Sequence, residues 1–381
     1  MRGAAHLVLF RFSAILFWGI LTTQAACGSE PIRPTSEYIP SLLSTIRING
    51  PIHFCSEPVP LHNRDVRERF EKEFMLMLWN RPQTILWLKR SSRYMPHIEK
   101  MLKKNGMPDD LKYLVIVESS LLSYAGSPKG AMGYWQFMEG TGKTYDLTID
   151  DHIDERRNIF VSTDAAIRYL DTLHGMFGSW TLAASAYNMG EEGLKAEILI
   201  QKVNDYYQLY LPIETQRYIF RIISAKLIIS NPGQYGFFLN NKDFYPLLTF
   251  DQVDITCSED TPVQIIAEAA DTYFKVIKEL NPEIRGHYLV KGQHSIAVPE
   301  GAAESFHVKY EKLLRQWQED SKKSIYTVKD GDSLSSIATS FNVPLPALLV
   351  WNRLDMAREL FVGEKLIVYP NTSTQDPPFQ E

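Results

Sequence analysis

A mainly α-helical domain followed by small α+β modules of βααβ order is what this sequence predicts, on three observations. Apolar residues recur at helix-face spacing through about residue 240. After about residue 248 the texture changes to short strands around pairs of short helices. That later stretch repeats itself, with residues 261–281 matched by residues 332–352 at a spacing of 71 positions. A chain of 381 residues suffices for two or three domains, and a hydrophobic content of 45% is ordinary for globular proteins.

Taken in order, residues 1–26 read as an export signal. Arg2 gives a positive start, residues 12–21 are apolar, and Ala25-Ala26 precede Cys27. The apolar run is short for a transmembrane helix, and Arg11 interrupts any longer one. Ala25-Ala26-Cys27 resembles a bacterial lipoprotein site, although that pattern favours an aliphatic residue where Gln24 stands. Lipidation of Cys27 and simple cleavage both stay open, and Gly28 would send a lipidated chain to the outer membrane.

Residues 27–92 form an N-terminal loop and helical region, and residues 93–248 the main helical domain. Val66, Phe70, Phe74, Met77 and Leu78 make one stripe, and Arg81-Pro82 marks a break. A second helix is expected over 93–105, ended by Gly106, and Pro108-Asp109-Asp110 opens the next. Ser162 has the character of an N-cap, with Ala166, Leu170, Leu173 and Phe177 striping the helix it would open.

The helix opened at Pro108 carries the most informative residue. Leu111, Leu114, Val115 and Glu118 share one face, and Leu121 and Leu122 would extend it. A carboxyl on an apolar face is desolvated, stays protonated near neutral pH and suits a general acid. The bland alternative is a glutamate near a helix end whose head reaches water. Motifs farther along the chain favour the first reading. Gly130-Ala131-Met132-Gly133-Tyr134-Trp135-Gln136 joins glycines that permit tight turns to aromatic faces and a donor–acceptor amide, a mixture that suits a sugar. Ala186-Tyr187-Asn188-Met189-Gly190 and Glu214-Thr215-Gln216-Arg217-Tyr218 come later.

In this order the motifs resemble the soluble-lytic-transglycosylase-like catalytic domain, of the membrane-bound lytic murein transglycosylase D type. The Glu-Ser pair matches Glu118-Ser119, the Gly-x-x-Gly-x-Trp-Gln run matches Gly130 to Gln136, and Ala-Tyr-Asn-x-Gly matches Ala186 to Gly190. Tyr134 stands where the family more often has an aliphatic residue. The resemblance implies a lysozyme-like fold over roughly residues 63–240, with Glu118 as catalytic acid/base. It implies substrate contacts from Ser119, Gly133, Tyr134, Gln136, Tyr187, Asn188 and Tyr218.

Glycoside hydrolysis normally uses two carboxylates, and here one has acid-like placement. Glu139, Asp146, Asp150, Asp151, Asp154 and Glu155 are the alternatives for a second, and Asp154 beside Arg156-Arg157 reads better as an ion-paired loop anchor. The implied chemistry needs one. Glu118 protonates the oxygen between N-acetylmuramic acid and N-acetylglucosamine, then takes the proton of the muramoyl C6 hydroxyl as a 1,6-anhydro ring closes. A lysozyme-type hydrolase on the same fold and a non-catalytic cell-wall binding protein are the alternatives.

In the repeat region, Ile266 aligns with Ile337, Ala267 with Ala338, Gly292 with Gly363, Ile296 with Ile367 and Pro299 with Pro370, without a gap. The second copy, residues 325–370, resembles a LysM module, which binds N-acetylglucosamine-containing chains. That resemblance offers Gly331, Asp332, Ser333, Leu334 and Asn352 for glycan binding. The first copy, residues 249–300, has Asp260 in place of Gly331 and Pro262 in place of Ser333, and reads as degenerate. A charged helical linker, residues 301–324, separates the copies, and residues 371–381 form a tail.

The net charge of −5 argues against nucleic acid as a partner. Peptidoglycan strands are the expected partner, and an outer-membrane lipid anchor through Cys27 a further one. The expected location is the periplasm. No cofactor is called for, and no metal, since the sequence has neither a His-x-x-x-His nor a Cys-x-x-Cys pair. Of the three cysteines, Cys55 and Cys257 either pair in an oxidising compartment or serve as small buried hydrophobes.

Overall fold

The computed structural model describes residues 41–48 and 50–369, and their apolar residues gather into three separate cores. The export signal, Cys27 and the tail lie outside the described residues. A short helix α1 (Leu42–Thr45) and a hairpin of β1 (His53–Phe54) and β2 (Glu57–Pro58) come first. Helix α2 (Arg64–Trp79) opens on Asn63, whose side chain accepts the Asp65 N–H at 3.0 Å. Its expected stripe, Val66 to Leu78, is buried.

Helix α3 (Arg81–Lys104) corrects the expectation of a start near residue 93. Pro82 sits in its first turn, where the missing N–H is no loss, so the Arg81-Pro82 break is also the next helix's start. A 3₁₀ turn, Asp109–Tyr113, runs into α4 (Leu114–Ser119). Beyond it lie α5 (Glu139–Thr144), α6 (Ile159–Phe177), α7 (Trp180–Met189), α8 (Glu191–Gln201) and α9 (Ile213–Ser230). Ser162 does not cap α6. Asn158 does, accepting the Phe160 N–H at 2.9 Å, while Ser162 lies one turn inside and is buried. Helices α2 and α9 are tied by buried Glu73, which accepts from Arg217 at 2.7 and 3.0 Å.

The second core belongs to the first repeat: β3 (Asp251–Cys257), β4 (Thr261–Pro262), α10 (Val263–Ala269), α11 (Phe274–Leu280), β5 (Tyr288–Leu289) and β6 (Gly292–Val298). Strands β3 and β6 pair antiparallel, as do β4 and β5. The linker helix α12 (Ala303–Lys323) lays Phe306 and Tyr310 against this core. The third core holds β7 (Ile325–Thr327), α13 (Leu334–Ser340), α14 (Leu345–Asn352) and β8 (Lys365–Ile367).

The helices of the two copies start 71 positions apart, as the alignment requires. The last strand does not keep that spacing. Asn281 accepts the Ala297 N–H and donates to Ala297 O, whereas Asn352 makes the same pair of bonds with Ile367. Ile367 is thus the counterpart of Ala297, one residue off the ungapped match to Ile296. Cys55 and Cys257 are free and buried in different cores, so the bridge does not exist and the buried-hydrophobe reading holds.

Candidate active site

Helix α4 is short because Ser120 and Leu121 both take positive φ, 56° and 59°. Two adjacent non-glycine residues in that region are strained, and such strain collects at functional sites. It is held from α3: Trp87 Nε1 donates to Ser120 Oγ at 2.9 Å and Arg90 Nη1 to Ser120 O at 3.1 Å. Leu121 and Leu122 therefore leave the helical stripe, against expectation, and turn the chain away just past Glu118. The terminal turn of α4 presents that side chain to α9, where Tyr218 Oη donates to Glu118 Oε1. Burial pushes the Glu118 carboxyl up to about 7, against the pull of the Tyr218 hydroxyl and the Arg221 guanidinium. The Tyr218 and Tyr187 hydroxyls are themselves pushed well up, first by burial and then by the Glu118 charge. Near neutrality Glu118 is poised to give or take a proton.

The glycine-rich loop is fixed from within. An added Cβ on Gly133 would sit 1.8 Å from Arg156 O, and its φ of +81° favours glycine as well. Gln136 donates to Ala125 O at 2.9 Å and to Gly133 O at 2.8 Å, bracing the loop. Trp135 is fully buried and its Nε1 donates to Thr163 at 2.9 Å, so its face is not open to a sugar. Tyr134 is nearly buried, edge-on to Tyr94 at 5.3 Å. Tyr187 Oη donates to Trp135 O at 2.7 Å, tying α7 to the loop. Asn188 Oδ1 accepts from Thr215 at 2.9 Å, so its NH₂ group is what it can offer a ligand. Ser119 is buried and donates back to Val115 O at 3.1 Å.

Asp154 is the loop anchor that the sequence indicated. Only 2% exposed, it accepts from Arg156 Nε at 2.8 Å and Nη2 at 2.9 Å. Arg156 Nη1 then donates to Gly130 O at 3.1 Å and Phe137 O at 3.2 Å, clamping both ends of the motif loop. The other acidic alternatives are engaged elsewhere. Glu139 pairs with Lys143, Asp146 with Arg168, Asp150 with the His152 and Ile153 N–H groups, and Glu155 with the Thr148 N–H. Asp151 is exposed.

Comparison with known proteins decides what this arrangement belongs to. Residues 95–209 match the Transglycosylase SLT domain, and residues 326–368 match the LysM domain. The chain thus carries an SLT-type domain followed by a LysM-type domain. It is similar to membrane-bound lytic murein transglycosylase D of Escherichia coli K12 and of E. coli O6:H1 strain CFT073, at 30% identity over 300 residues in each case. That match takes in 75% of this chain and 65% of those relatives. The X-ray structure of lytic transglycosylase Slt from Pseudomonas aeruginosa is 20% identical over 37% of this chain and 24% of that one, with a TM-score of 0.28. That superposition is too partial to align the two folds.

The SLT match takes in Glu118, Gln136, Tyr187 and Asn188, while Tyr218 lies beyond its end. Arg221 escaped the sequence reading and Glu214 entered it only as the start of a motif, yet both act on the Glu118 carboxyl. Their spacing from Tyr218, three positions on and four back, puts them on its helix face and would have flagged them. In the LysM domain, Asp332 accepts from the Lys329 N–H at 2.7 Å and from Tyr326 Oη at 2.8 Å. Ser333 caps α13 in a reciprocal box with Ser336. Asp332, Ser333 and Leu334 line a groove of about 430 Å³ with Leu345, Arg358 and Leu360. Gly331 has a φ of +81° at the turn leading into it. Asn352 locks β8 to α14 through Leu348 O and Ile367, which accounts for its side chain.

Proposed function

We propose that the chain is a peptidoglycan lytic transglycosylase that cleaves the β-1,4 bond between N-acetylmuramic acid and N-acetylglucosamine without water. The observation that carries this is the buried Glu118 carboxyl, raised to about 7 and held by Tyr218 beside the clamped glycine-rich loop. Protonated Glu118 gives its proton to the glycosidic oxygen as the C1–O bond breaks. The resulting carboxylate takes the proton of the muramoyl C6 hydroxyl as that oxygen bonds to C1. Gly133, Gln136 and Tyr187 keep the loop in shape, Ser119 and Tyr134 pack behind it, and Asn188 offers its NH₂ group to the glycan. The LysM domain supports retention on the wall through Gly331, Asp332, Ser333 and Leu334. The name of the E. coli relatives, membrane-bound, supports an envelope location. An outer-membrane anchor at Cys27, periplasmic exposure and export by residues 1–26 complete the reading. A hydrolase would need a second carboxylate placed to activate water beside Glu118; five of the six residues weighed from sequence have other partners, and Glu214, whose charge reaches Glu118, is exposed on α9.

Glu118→Gln keeps the shape and removes the proton traffic, so turnover should fall at least ~10²–10⁴-fold. Wild-type product strands should end in 1,6-anhydromuramoyl groups by mass spectrometry. Reducing ends carrying labelled oxygen from water would replace this reading with the hydrolase. Stability should move the other way. A carboxyl raised from 4.5 to about 7 costs stability increasingly as pH climbs through that interval. Glu118→Gln should therefore match wild type below pH 4.5 and exceed it above pH 7, by as much as about 3 kcal/mol.

A further inference from the structure

A cleft of about 890 Å³ opens between the loop after Glu118 and the first repeat. Arg90, Arg93 and Arg157 line it from the SLT side; Lys275, Lys278 and Arg285 line it from the repeat. Glu279, 3.6 Å from Lys275, is the one acidic side chain in that lining, although the whole chain carries −5. Positive charge has been gathered here against the overall balance. Two of the cations are only partly compensated. The Arg157 Nε is buried with no hydrogen-bond partner among the described residues, and its nearest carboxylate, Asp154 at 3.6 Å, is already held at two points by Arg156. Lys278 donates to the carbonyls of Ile284 and Gly286, and burial and the Arg157 charge push its pKa down against the weaker pull of the Glu283 carboxyl. Like charges facing one another in a cleft are relieved by an anion. Tyr134, from the motif loop, and Tyr124, 70% exposed just past Glu118, add aromatic surface.

We propose that this cleft is a second recognition site, which takes carboxylate groups of the glycan strand beside the bond being cut. The inference rests on the reading that the chain acts on peptidoglycan. Two sources share that chemistry: the carboxylates of the peptide stems, and the lactyl carboxylate that a muramoyl residue bears once its stem is removed. The first repeat, read from sequence as a degenerate sugar binder, is here one wall of an anion site.

The test uses full-length protein with Arg93→Glu and Lys275→Glu combined, assayed on peptide-bearing strands, on amidase-stripped strands and on neutral chitin oligomers. KM for carboxylate-bearing strands should rise about tenfold with kcat within about twofold. A rise confined to peptide-bearing strands assigns the stems; an equal rise on stripped strands assigns the lactyl group. The Kd of the same strands, measured with Glu118→Gln also present, should weaken in parallel, while chitin oligomers bind as before. This second readout needs no turnover, so a non-catalytic chain would still report the cleft. Unchanged KM and Kd for both carboxylate-bearing strands, or an equal loss for chitin, would overturn the proposal. Arg93→Lys with Lys275→Arg should restore affinity; if the reversal variant fails to fold, Arg93→Gln with Lys275→Gln should still weaken binding about threefold.

Discussion

The two copies of the βααβ unit share helix spacing and an asparagine lock, yet they are attached to the molecule in different ways. The first is joined backbone to backbone. Asp154 N donates to Glu283 O at 2.8 Å, Arg285 N donates to His152 O at 2.7 Å, and Ile153 and Ile284 form an antiparallel bridge. The second holds on through side chains: Arg353 pairs with Asp260 and lies 4.6 Å from the centre of the Tyr288 ring. The first copy's departures fit its different use. Asp260, in place of Gly331, accepts the Lys291 N–H at 2.6 Å as well as Arg353. Pro262, in place of Ser333, leaves α10 without a side-chain cap. A backbone seam fixes orientation, whereas an exposed ion pair is worth little and lets its partner move. One unit has become part of the frame of the main helical domain, and its duplicate is held on by side chains alone.

Deletion offers the hardest way to break this contrast. Ending the chain after residue 323 should leave turnover of short soluble fragments within about twofold while sedimentation with insoluble peptidoglycan weakens. Ending it after residue 248 strips Glu283 and Arg285 from the loop that carries Asp154. Arg156 then loses its fixed anchor, and with it the clamp on Gly130 and Phe137. Small displacements of positioning groups can cost ~10²-fold, and a loss of at least that size is expected in the folded product. Equal retention of activity in both truncations would show that the seam does not support the site.

The asparagine pair sharpens the contrast at smaller scale. Asn281 is 2% exposed and satisfies the Ala297 N–H and O and the Ile277 carbonyl. Asn281→Ala should cost about 2–4 kcal/mol by leaving those groups unpaired. Because the unit is welded on, calorimetry should show the main transition falling. Asn352 is half-buried, and Asn352→Ala should cost about 1–2 kcal/mol in a separate transition that leaves turnover intact.

Much of this was legible in the chain itself. The α2 and α6 stripes are local periodic signals, and Glu118 stood out as a carboxyl on the apolar face of its own helix. The repeat was visible because its helices kept their spacing. What stayed hidden depends on partners distant in sequence. Nothing near Ser120 announces its positive φ, which Trp87 and Arg90 enforce from another helix. Asn158 and Ser162 are both good caps by type, and only the backbone decides between them. The Ile153–Ile284 seam joins residues more than a hundred positions apart with no motif at either end, so a unit welded to the main helical domain read as a worn-out sugar binder. The last-strand offset escaped because the ungapped match still paired plausible residues.

Acidification supplies the subtlest test, because the seam and the interior of the second copy should respond with opposite sign. In the seam, burial holds the Glu283 carboxyl above its ordinary value of 4.5, and its Oε2 is buried without a hydrogen-bond partner among the described residues. A raised carboxyl favours the folded state while protonated, so seam stability should be greatest below pH 4.5 and decline as pH rises through the raised value. In the second copy, the Lys329 N–H and the Tyr326 hydroxyl hold the Asp332 carboxyl below its ordinary value of 3.8. That contribution is complete above pH 3.8 and is lost as pH falls through the lowered value. Hydrogen-exchange protection factors, corrected for intrinsic rates, can track both. The Asp154 and Arg285 amides should gain protection from pH 7 down to 4.5. The Lys329 amide should hold its protection there and lose it on further acidification. Glu283→Gln should flatten the first trend and Asp332→Asn the second, each without touching the other. If both regions shift together, the two copies share one cooperative unit, and the distinction between the welded copy and the one held by side chains fails.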